Sequence, residues 1–423
     1  MAGAEERIQP QAWMTAAATR RVIGAFEAAG VDVRFVGGCV RDALLGRSVT
    51  DIDIASPVPP ERAIEILESA GIVVHPTGIK HGTVTAIVEH RPFEITTLRR
   101  DVETFGRHAR VEFTDDWRED AARRDFTMNA IFCEADGRLH DYFGGIEDAR
   151  AGRVRFVGDP IERIREDVLR LLRLFRFQAH YGRVPPDAEA LAATERMADQ
   201  LPTLSGERVR NEMLRLFVAP DPLSVLDLMR QRGVLRHCLD EARSFDRLAA
   251  LIALEDSLPT RLTGGTDPIR RLAALLESES DTRAVAERLR LANRDRDRLL
   301  AMSAAALPEA PLSVSTVHAR IHAVGADLFR DRMLLAWAAR NAAGKAPAPD
   351  DADAWQAMLV TAAEWTAPTF PIKGADVLSL GVAPGPRVGE LVDAVERWWI
   401  EGDFRADRAA CLARLRELAT DGG

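Results

Sequence analysis

Two adjacent glycines at a change from strand to helix constrain this sequence more than any other feature. Residues 33–36 predict the strand, Gly37 and Gly38 follow it, and Gly46 ends a short helix. Glycines at such a turn allow backbone N–H groups and the N-terminus of a helix to approach a phosphate closely. The pair by itself predicts either a phosphate-binding turn or an ordinary tight turn.

Two aspartates follow on the next predicted strand. Asp51 and Asp53 are separated by one residue, and side chains two apart on a strand point to the same face. Their carboxylates are therefore expected to converge, as a divalent-metal site requires. A D-x-D pair is also common on surface strands, so it is the combination with the glycines that predicts nucleotidyl transfer.

Glu94 is the candidate for a third carboxylate. Residues 83–88 and 93–98 are predicted to form a hairpin, and Glu94 lies among β-branched residues in its second strand. An acid on an inner strand needs a partner, which is either a metal ion or a basic side chain. We predict Asp51, Asp53 and Glu94 as catalytic residues, with a structural ion pair of Glu94 as the alternative.

A charged run, RRDFTMNA at residues 123–130, supplies the next candidates. Arginines beside an acid can hold a triphosphate and a ribose hydroxyl together. In isolation such a run more often forms a solvated face.

Residues 161–181 have the apolar spacing of a helix and carry a third charged segment. On a helix Glu166 and Arg170 are four residues apart and can pair. Asp167 and Arg170 are three apart, which predicts an acceptor beside a set of donors.

Two further arginines extend that edge of the predicted helix. Arg173 and Arg176 follow in steps of three, and Phe177 is expected mainly on the other side. The alternative for the whole segment is an ordinary amphipathic helix with salt bridges.

The composition argues against several classes of protein. The 423 residues are 47% hydrophobic with a net charge of −9, which fits packed helices and argues against a protein covered in nucleic acid. Apolar runs stay short of the roughly 20 residues of a membrane span, and no signal peptide is predicted at the polar residues 1–12. The four cysteines are scattered singly, which predicts reduced thiols and a cytoplasmic protein.

We predict an α+β chain in which a small mixed-sheet head precedes an elongated all-helical neck, body and tail. Strand signals fade beyond residue 159 and helical spacing follows. Two breaks rich in glycine, proline and aspartate, residues 263–267 and 344–353, are the predicted linkers. The predicted segments are an N-terminal helix (1–30), a nucleotidyltransferase head (31–150), a neck (151–220), a body (221–343) and a tail (344–423).

Taken in order, the motifs resemble those of the class II tRNA nucleotidyltransferase/poly(A) polymerase family, specifically the bacterial CCA-adding enzymes. The resemblance covers residues 30–217, and beyond them only residues 384–389 match loosely. The matching motifs are GGxVRDxLLG…DxD at 37–53, RRDFTxNA at 123–130, DYFGG…D at 141–148, EDxxR at 166–170 and ER…E at 207–212.

The resemblance implies a metal-dependent head. Asp51 and Asp53 would bind Mg²⁺, with Glu94 as third carboxylate or orienting base. Gly38 and Arg41 would contact the triphosphate of the incoming nucleotide. The predicted nucleotide-binding residues are Gly37, Gly38, Arg41, Arg124, Asp125, Asp167, Arg170, Arg173 and Arg176, supported by Glu166, Arg123, Asn129 and Glu207.

Asp167 and Arg170 are predicted to select the base. Cytosine and adenine both present an amino donor beside a ring-nitrogen acceptor, which an Asp–Arg pair complements. Uracil and guanine present a carbonyl beside an N–H, so the same pair rejects them. In the family the change from C to A is attributed to a flexible loop before the second motif. Here that loop is residues 99–116, and its length predicts addition of the terminal A.

The activity that the resemblance implies is addition of C, C and A to the 3′ end of tRNA from CTP and ATP, without a nucleic-acid template. No membrane contact and no stable protein partner are predicted. Two alternatives stay open. A poly(A) polymerase is disfavoured by residues 78–82 and by the lack of a long basic tail, and a catalytically silent RNA-binding relative by the intact carboxylates. The arginines predicted to lead the acceptor stem to the site are Arg150, Arg153, Arg155, Arg163 and Arg165.

Overall fold

The computed structural model of the chain describes residues 6–105, 108–304, 307–308, 311–344 and 349–420. The chain divides into two compact units, Met1–Asp240 and Glu241–Gly423. The finer division into head, neck, body and tail stays a prediction. Among the described residues, each helix is too short or too polar to cross a bilayer.

The first unit combines a mixed sheet with helices, which confirms the predicted α+β class. The strands are β1 (Arg34–Val36), β2 (Asp53–Ser56), β3 (Val73–Gly78), β4 (Thr83–Val88), β5 (Arg91–Thr97), β6 (Arg99–Phe105), β7 (His108–Phe113), β8 (Ile131–Cys133) and β9 (Leu139–Asp141). The helices are α1 (Ala12–Thr15), α2 (Ala17–Ala28), α3 (Gly38–Leu44), α4 (Pro60–Ser69), α5 (Trp117–Ala122), α6 (Gly145–Ala151), α7 (Pro160–Glu166), α8 (Leu169–Tyr181), α9 (Ala188–Met197), α10 (Gly206–Phe217) and α11 (Pro222–Gln231).

The main sheet has the strand order β3-β4-β5-β2-β1-β8-β9, and β6 pairs with β7 separately. Strands β2 and β5 run parallel with Asp53 opposite Glu94, so these two side chains lie on one face of the sheet. The predicted hairpin is present, although β5 begins at Arg91. Glu89 and His90 form its turn with positive φ angles of 51° and 62°.

The two faces of the sheet bury different cores because neighbouring residues alternate in direction. Phe35 and Ile54 belong to a large core with residues of α2 and α4. Val36 and Ala55 belong to a smaller core on the opposite face. Asp53 is two residues from Ala55, so its carboxylate lies on the same face of the sheet as the smaller core. Asp53 is the first residue of β2.

The predicted helix over residues 161–181 is interrupted. Helix α7 ends at Glu166, Asp167 is extended with φ −151° and ψ 106°, and α8 begins at Leu169. The Oδ1 atom of Asp167 accepts a hydrogen bond from the Leu169 N–H at 3.1 Å. This local bond offers the backbone an alternative to a continuous helix.

The region predicted as a flexible loop, residues 99–116, contains the antiparallel hairpin of β6 and β7, with Arg99 paired to Phe113. Arg107, one of the charged residues in that prediction, lies outside the described residues.

The described part of the second unit is built from helices. They are α12 (Asp246–Ser257), α13 (Thr260–Thr263), α14 (Pro268–Ala274), α15 (Glu279–Arg288), α16 (Asn293–Ser303), α17 (Val314–Val324), α18 (Ala326–Ala342), α19 (Pro349–Glu364), α20 (Gly374–Leu378), α21 (Pro386–Glu401) and α22 (Arg408–Thr420). The predicted linker at residues 263–267 is a packed turn, because the buried Arg270 donates to the Thr263 carbonyl at 2.8 Å and also to that of Gly265.

Candidate active site

A cleft of about 500 Å³ lies between the strand-to-helix glycine turn and helix α8, within the first unit. Arginines outnumber carboxylates in its lining, which favours an anionic ligand. The lining residues are Gly37, Gly38, Arg41, Asp53, Arg124, Asp125, Asn129, Arg173, Arg176, Phe177, His180, Tyr181, Arg215 and Val218.

Gly37 brings the backbone directly against the cleft. Its φ of 74° with ψ of −130° is a conformation that favours glycine strongly. A Cβ atom at this position would lie 3.5 Å from Nη1 of Arg124 and 3.8 Å from Oδ2 of Asp53. The turn therefore leaves open the space between a guanidinium and a carboxylate.

The predicted carboxylates lie close enough to influence one another. Burial raises the pKa of Asp53 to about 6, and repulsion from Glu94 and Asp51 adds to this while Arg124 opposes it. Asp53 is half-buried at the start of β2, whereas Asp51 precedes the strand and is exposed. The prediction that both aspartates lie on the strand was therefore wrong for Asp51.

The described residues include no ready-made cluster of three His, Cys, Asp or Glu side chains that could hold a metal ion. The oxygen donors of Asp53, Glu94 and Asp51 nevertheless have the chemistry that hard divalent cations prefer. A cation beside them would relieve the repulsion that raises the Asp53 pKa.

A buried acid that was not predicted holds the two arginines of the second motif. Asp120 Oδ2 accepts from Nε and Nη2 of Arg124 at 3.2 and 2.9 Å, and Oδ1 accepts from Nε of Arg123 at 2.8 Å. Burial lowers the pKa of Arg123 to about 10, and this side chain does not line the cleft. The signal in the sequence was the spacing of three and four residues along α5 and its C-terminal end.

Asp125 is committed to protein partners. It accepts from the Phe126 N–H at 2.8 Å, from Nδ2 of Asn129 at 3.0 Å and from Nε of Arg173 at 2.7 Å. Burial alone would raise the pKa of Asp125, but Arg173 and the other two donors lower it to about 2. The structure therefore makes Asp125 the residue that orients Arg173 in the cleft.

Asp167 and Arg170 do not line this cleft. Asp167 lies outside the helix, but the Arg170 N–H donates to the Asp167 carbonyl at 2.9 Å, so the two residues stay within one turn of each other. Oδ2 of Asp167 accepts from Nη2 of Arg208 at 2.7 Å. Arg170 donates to Glu166 at 2.5 Å, as predicted, and to the Arg123 carbonyl at 2.9 Å.

Two residues of the fifth motif, Arg208 and Glu212, form ion pairs near the cleft, whereas the predicted Glu207 is placed away from it. Glu207 is half-buried on α10 and does not line the cleft. Its neighbour Arg208 holds Asp167, and Glu212 forms an ion pair with Arg176 at 2.9 Å. Helix α10 thus supports α8 through charged contacts.

Sequence reasoning missed several lining residues on α8. Phe177 was expected on the far side of the helix, and His180 was interpreted as an ordinary surface or core residue. Both line the cleft with Tyr181. Arg173, Phe177 and Tyr181 recur every four residues, so the signal was present as a helical face. This face was hard to recognise in the sequence because an apolar residue such as Phe177 is expected in the core, and Phe177 is indeed buried, with 4% exposure.

Two segments of the chain match known protein families. Residues 33–155 match the poly A polymerase head domain. Residues 185–245 match a probable RNA- and SrmB-binding site of polymerase A.

Both family descriptions name poly A polymerases, but the relatives that match this chain over most of their length are CCA-adding enzymes. The mitochondrial CCA tRNA nucleotidyltransferase 1 of Homo sapiens is 32% identical over 405 residues, covering 91% of this chain and 87% of the relative. The chain belongs to the family of CCA-adding tRNA nucleotidyltransferases. The CCA-adding enzyme of Levilactobacillus brevis is 30% identical, covering 94% of this chain and 97% of that enzyme.

The fold agrees with this family. The crystal structure of the Bacillus stearothermophilus CCA-adding enzyme in complex with CTP aligns with a TM-score of 0.73 at 27% identity, covering 95% of this chain and 96% of that one. Membership confirms the predicted nucleotidyltransferase class, whose members generally use a divalent metal ion.

Proposed function

We propose that the protein adds C, C and A to the 3′ end of tRNA, with CTP and ATP as substrates and without a nucleic-acid template. The observation that carries this proposal is the arrangement of charges in the cleft. Asp53 is opposite Glu94 on the neighbouring strand, and it faces arginines across a turn at which Gly37 has a positive φ. An arginine-rich lining suits a triphosphate, and two neighbouring carboxylates that repel one another suit a cation.

The arginines have distinct positions for this task. Arg124 lies beside Gly37 and Arg41 beside Gly38, and both line the cleft, so both could donate to the oxygens of a triphosphate bound there. Each is already oriented by a carboxylate, Asp120 for Arg124 and Asp42 for Arg41. Such fixed donors stabilise charge that develops during transfer without having to reorganise.

Asp51 and Asp53 would hold Mg²⁺, with Glu94 beside them as the residue that orients the attacking 3′-hydroxyl. A bound divalent cation supplies Lewis-acid stabilisation at the phosphate and lowers the pKa of a bound hydroxyl. Alanine at Asp53 is expected to abolish transfer and leave the fold intact, as measured by primer extension and circular dichroism. Retained transfer would remove Asp53 from the catalytic set.

We assign base selection to Asp167 and Arg170. Asp167 uses each carboxylate oxygen once, for Leu169 N–H and for Arg208, and a carboxylate has further lone pairs with which to accept an amino group. Alanine at Asp167 is expected to relax the preference for CTP and ATP over UTP and GTP.

A matched control for that variant is available on α7. Asp159 is exposed and caps the helix by accepting from the Glu162 N–H at 2.9 Å. Alanine there is expected to cost about 1 kcal/mol of stability without changing nucleotide choice. An unchanged preference in Asp167→Ala, or an equal change in Asp159→Ala, would reject the templating role.

Support for tRNA binding comes more from the arginine-rich cleft than from the five arginines that were predicted to lead the acceptor stem to it. Arg150 pairs with Glu6, Arg153 and Arg155 with the buried Asp148, Arg163 with Glu166 and Arg165 with Glu162. These guanidiniums already have acidic partners, so phosphate contacts would compete with existing ion pairs.

The cysteines support a reducing, cytoplasmic location. All four (Cys39, Cys133, Cys238 and Cys411) are buried and free. Reduced thiols of this kind are typical of cytosolic proteins.

The decisive experiment supplies purified protein with Mg²⁺ and a tRNA transcript lacking its 3′ CCA. Each labelled nucleotide is offered singly and then CTP is offered with ATP, and products are resolved at single-nucleotide resolution. Two C additions, one A and a stop are expected. An open-ended A ladder would indicate a poly(A) polymerase, two Cs alone a CC-adding enzyme, and no extension a silent RNA-binding relative.

A further inference from the structure

Tyr181, the last residue of α8, contacts the helix that follows the glycine turn. Its hydroxyl donates to Oδ1 of Asp42 at 3.2 Å. The guanidinium carbon of Arg41 lies over the Tyr181 ring, 4.2 Å from the ring centroid. Since Arg41 is only 7% exposed, this cation–π contact is shielded from water and correspondingly stronger.

The N–H groups at the edge of the Arg41 guanidinium also have hydrogen-bond partners. Nε and Nη2 donate to the two oxygens of Asp42 at 3.0 and 2.8 Å, and Nη1 donates to Oδ1 of Asn129 at 2.7 Å. A guanidinium has five N–H donors, so hydrogens remain on Nη1 and Nη2 for a ligand in the cleft that Arg41 lines.

These contacts continue in a closed circuit that begins and ends on α8. Asn129 donates to Asp125, and Asp125 accepts from Arg173. Arg173 and Tyr181 are both on α8, and between them the circuit passes through the second and first motifs. Helix α8 therefore contacts the glycine-turn region directly through Tyr181, and indirectly from Arg173 through Asp125 and Asn129.

A second cation fixes the ring of Tyr181 itself. The guanidinium carbon of Arg47 lies 4.4 Å from the Tyr181 ring centroid, and its Nη2 donates to the His180 carbonyl at 2.7 Å. The ring is thus in contact with two guanidinium groups, of which Arg41 lines the cleft.

The geometry points to Tyr181 as a positioning residue that sets the plane of Arg41 for the triphosphate of the incoming nucleotide. This inference rests on the proposed function, in which Arg41 contacts the triphosphate. Without the Tyr181 ring, Arg41 keeps its hydrogen bonds to Asp42 and Asn129 and the more distant Phe177 ring at 5.2 Å. The guanidinium then loses the nearer of the two rings against its face and can tilt, so its remaining hydrogens are aimed less accurately at the cleft. Because CTP and ATP share the triphosphate, both should be affected equally.

The test compares Tyr181→Leu, which removes ring and hydroxyl, with Tyr181→Phe, which keeps the ring. The dissociation constants of CTP and ATP are measured by equilibrium dialysis with Mg²⁺. KM and kcat are measured for CTP on tRNA lacking CCA and for ATP on tRNA that ends in CC. Tyr181→Leu is expected to raise Kd for both nucleotides about three- to tenfold and to lower kcat/KM by at least the same factor, because a displaced Arg41 also stabilises the developing charge less well. Tyr181→Phe should restore most of the loss.

A double-mutant cycle separates positioning from a general structural role. In an Arg41→Ala background, Tyr181→Leu should have no further effect on nucleotide Kd, because the side chain that it positions is absent. Leu226→Ala is the stability control: Leu226 is fully buried on α11, which packs against α8, and it does not line the cleft. It should lower the melting temperature and leave Kd unchanged.

The inference would be overturned by an unchanged Kd in Tyr181→Leu, by an effect on one nucleotide alone, or by effects of Arg41→Ala and Tyr181→Leu that simply add. An equal rise in Kd for Leu226→Ala would also overturn it, because the effect would then follow stability. The dialysis measurement does not need transfer. A wild-type protein that binds both nucleotides but extends no tRNA would count against the proposed function and not against the role of Tyr181.

Discussion

Replacing Asp125 by asparagine removes a negative charge from a buried position and keeps the shape of the side chain. The carboxylate is 8% exposed and accepts hydrogen bonds from Arg173, Asn129 and the Phe126 N–H. An asparagine oxygen can still accept from the Phe126 N–H, but it cannot neutralise Arg173. The first unit is therefore expected to lose stability.

The size of the loss follows from the pKa. The Asp125 pKa falls from an ordinary 3.8 to about 2, and each pKa unit corresponds to about 1.4 kcal/mol. The charged carboxylate thus contributes about 2 kcal/mol at neutral pH. We expect Asp125→Asn to lower the free energy of unfolding by about 2–3 kcal/mol at pH 7.

The pH dependence has a definite sign. Because the folded pKa of Asp125 lies below the unfolded one, its contribution is complete above the unfolded value of 3.8 and is lost as the pH falls toward the folded value of about 2. The gap between wild type and variant should be constant from pH 7 to pH 5. The difference in unfolding free energy should then begin to narrow near pH 4 and be smaller by about 1 kcal/mol at pH 3.

Urea denaturation from pH 7 to pH 3 measures this gap, with hydrogen exchange of peptides covering residues 117–133 to identify the transition of the first unit. Asp136→Asn is the control, because Asp136 pairs with Arg7 at an exposed position and should cost less than about 1 kcal/mol. A gap for Asp125→Asn below about 0.5 kcal/mol at pH 7, or one that does not narrow between pH 5 and pH 3, would refute the reasoning.

Two further substitutions test the glycine turn and the second unit. Gly37→Ala should lower the unfolding free energy of the first unit by about 1–3 kcal/mol through backbone strain and weaken CTP binding by obstructing the cleft. Gly24→Ala is the control, because Gly24 lies in a helix with open space around it, and it should be neutral or stabilising. Normal CTP binding by Gly37→Ala would contradict this prediction. Asp331→Asn removes a fully buried carboxylate that accepts from Arg270 at 3.0 Å and pairs with Arg298 at 2.7 Å. It should lower the unfolding free energy of the second unit by about 3–5 kcal/mol in urea denaturation, and a loss below about 1 kcal/mol would show that the network is dispensable.

Much of the cleft was predictable because its residues lie in short local motifs. Gly37, Asp53 and Arg124 were identified from glycine pairing, alternation on a strand and a charged run, and each lines the cleft. The functional roles assigned to them stay predictions. Local patterns of this kind survive folding because a tight turn or a strand imposes its own geometry.

Other parts were not predictable because contacts from distant segments decided them. The apolar spacing over residues 161–181 continues without interruption, yet Asp167 leaves the helix. It pairs there with Arg208 of α10, and this ion pair has no trace in the local sequence. Asp125 lines the cleft and its predicted contact with nucleotide stays a prediction, but its ion pair with Arg173, 48 residues along the chain, could not be read from the local sequence.

The sequence by itself determined the α+β class, the family and the order of the motifs, since these depend on periodicity and on residues close together in the chain. Only the tertiary structure decided which charged side chains face the cleft. A guanidinium is oriented by whichever carboxylates, carbonyls and rings meet it, and for Arg41 these include Tyr181, which comes from another helix. Helix packing therefore determines how the arginines of the cleft are oriented.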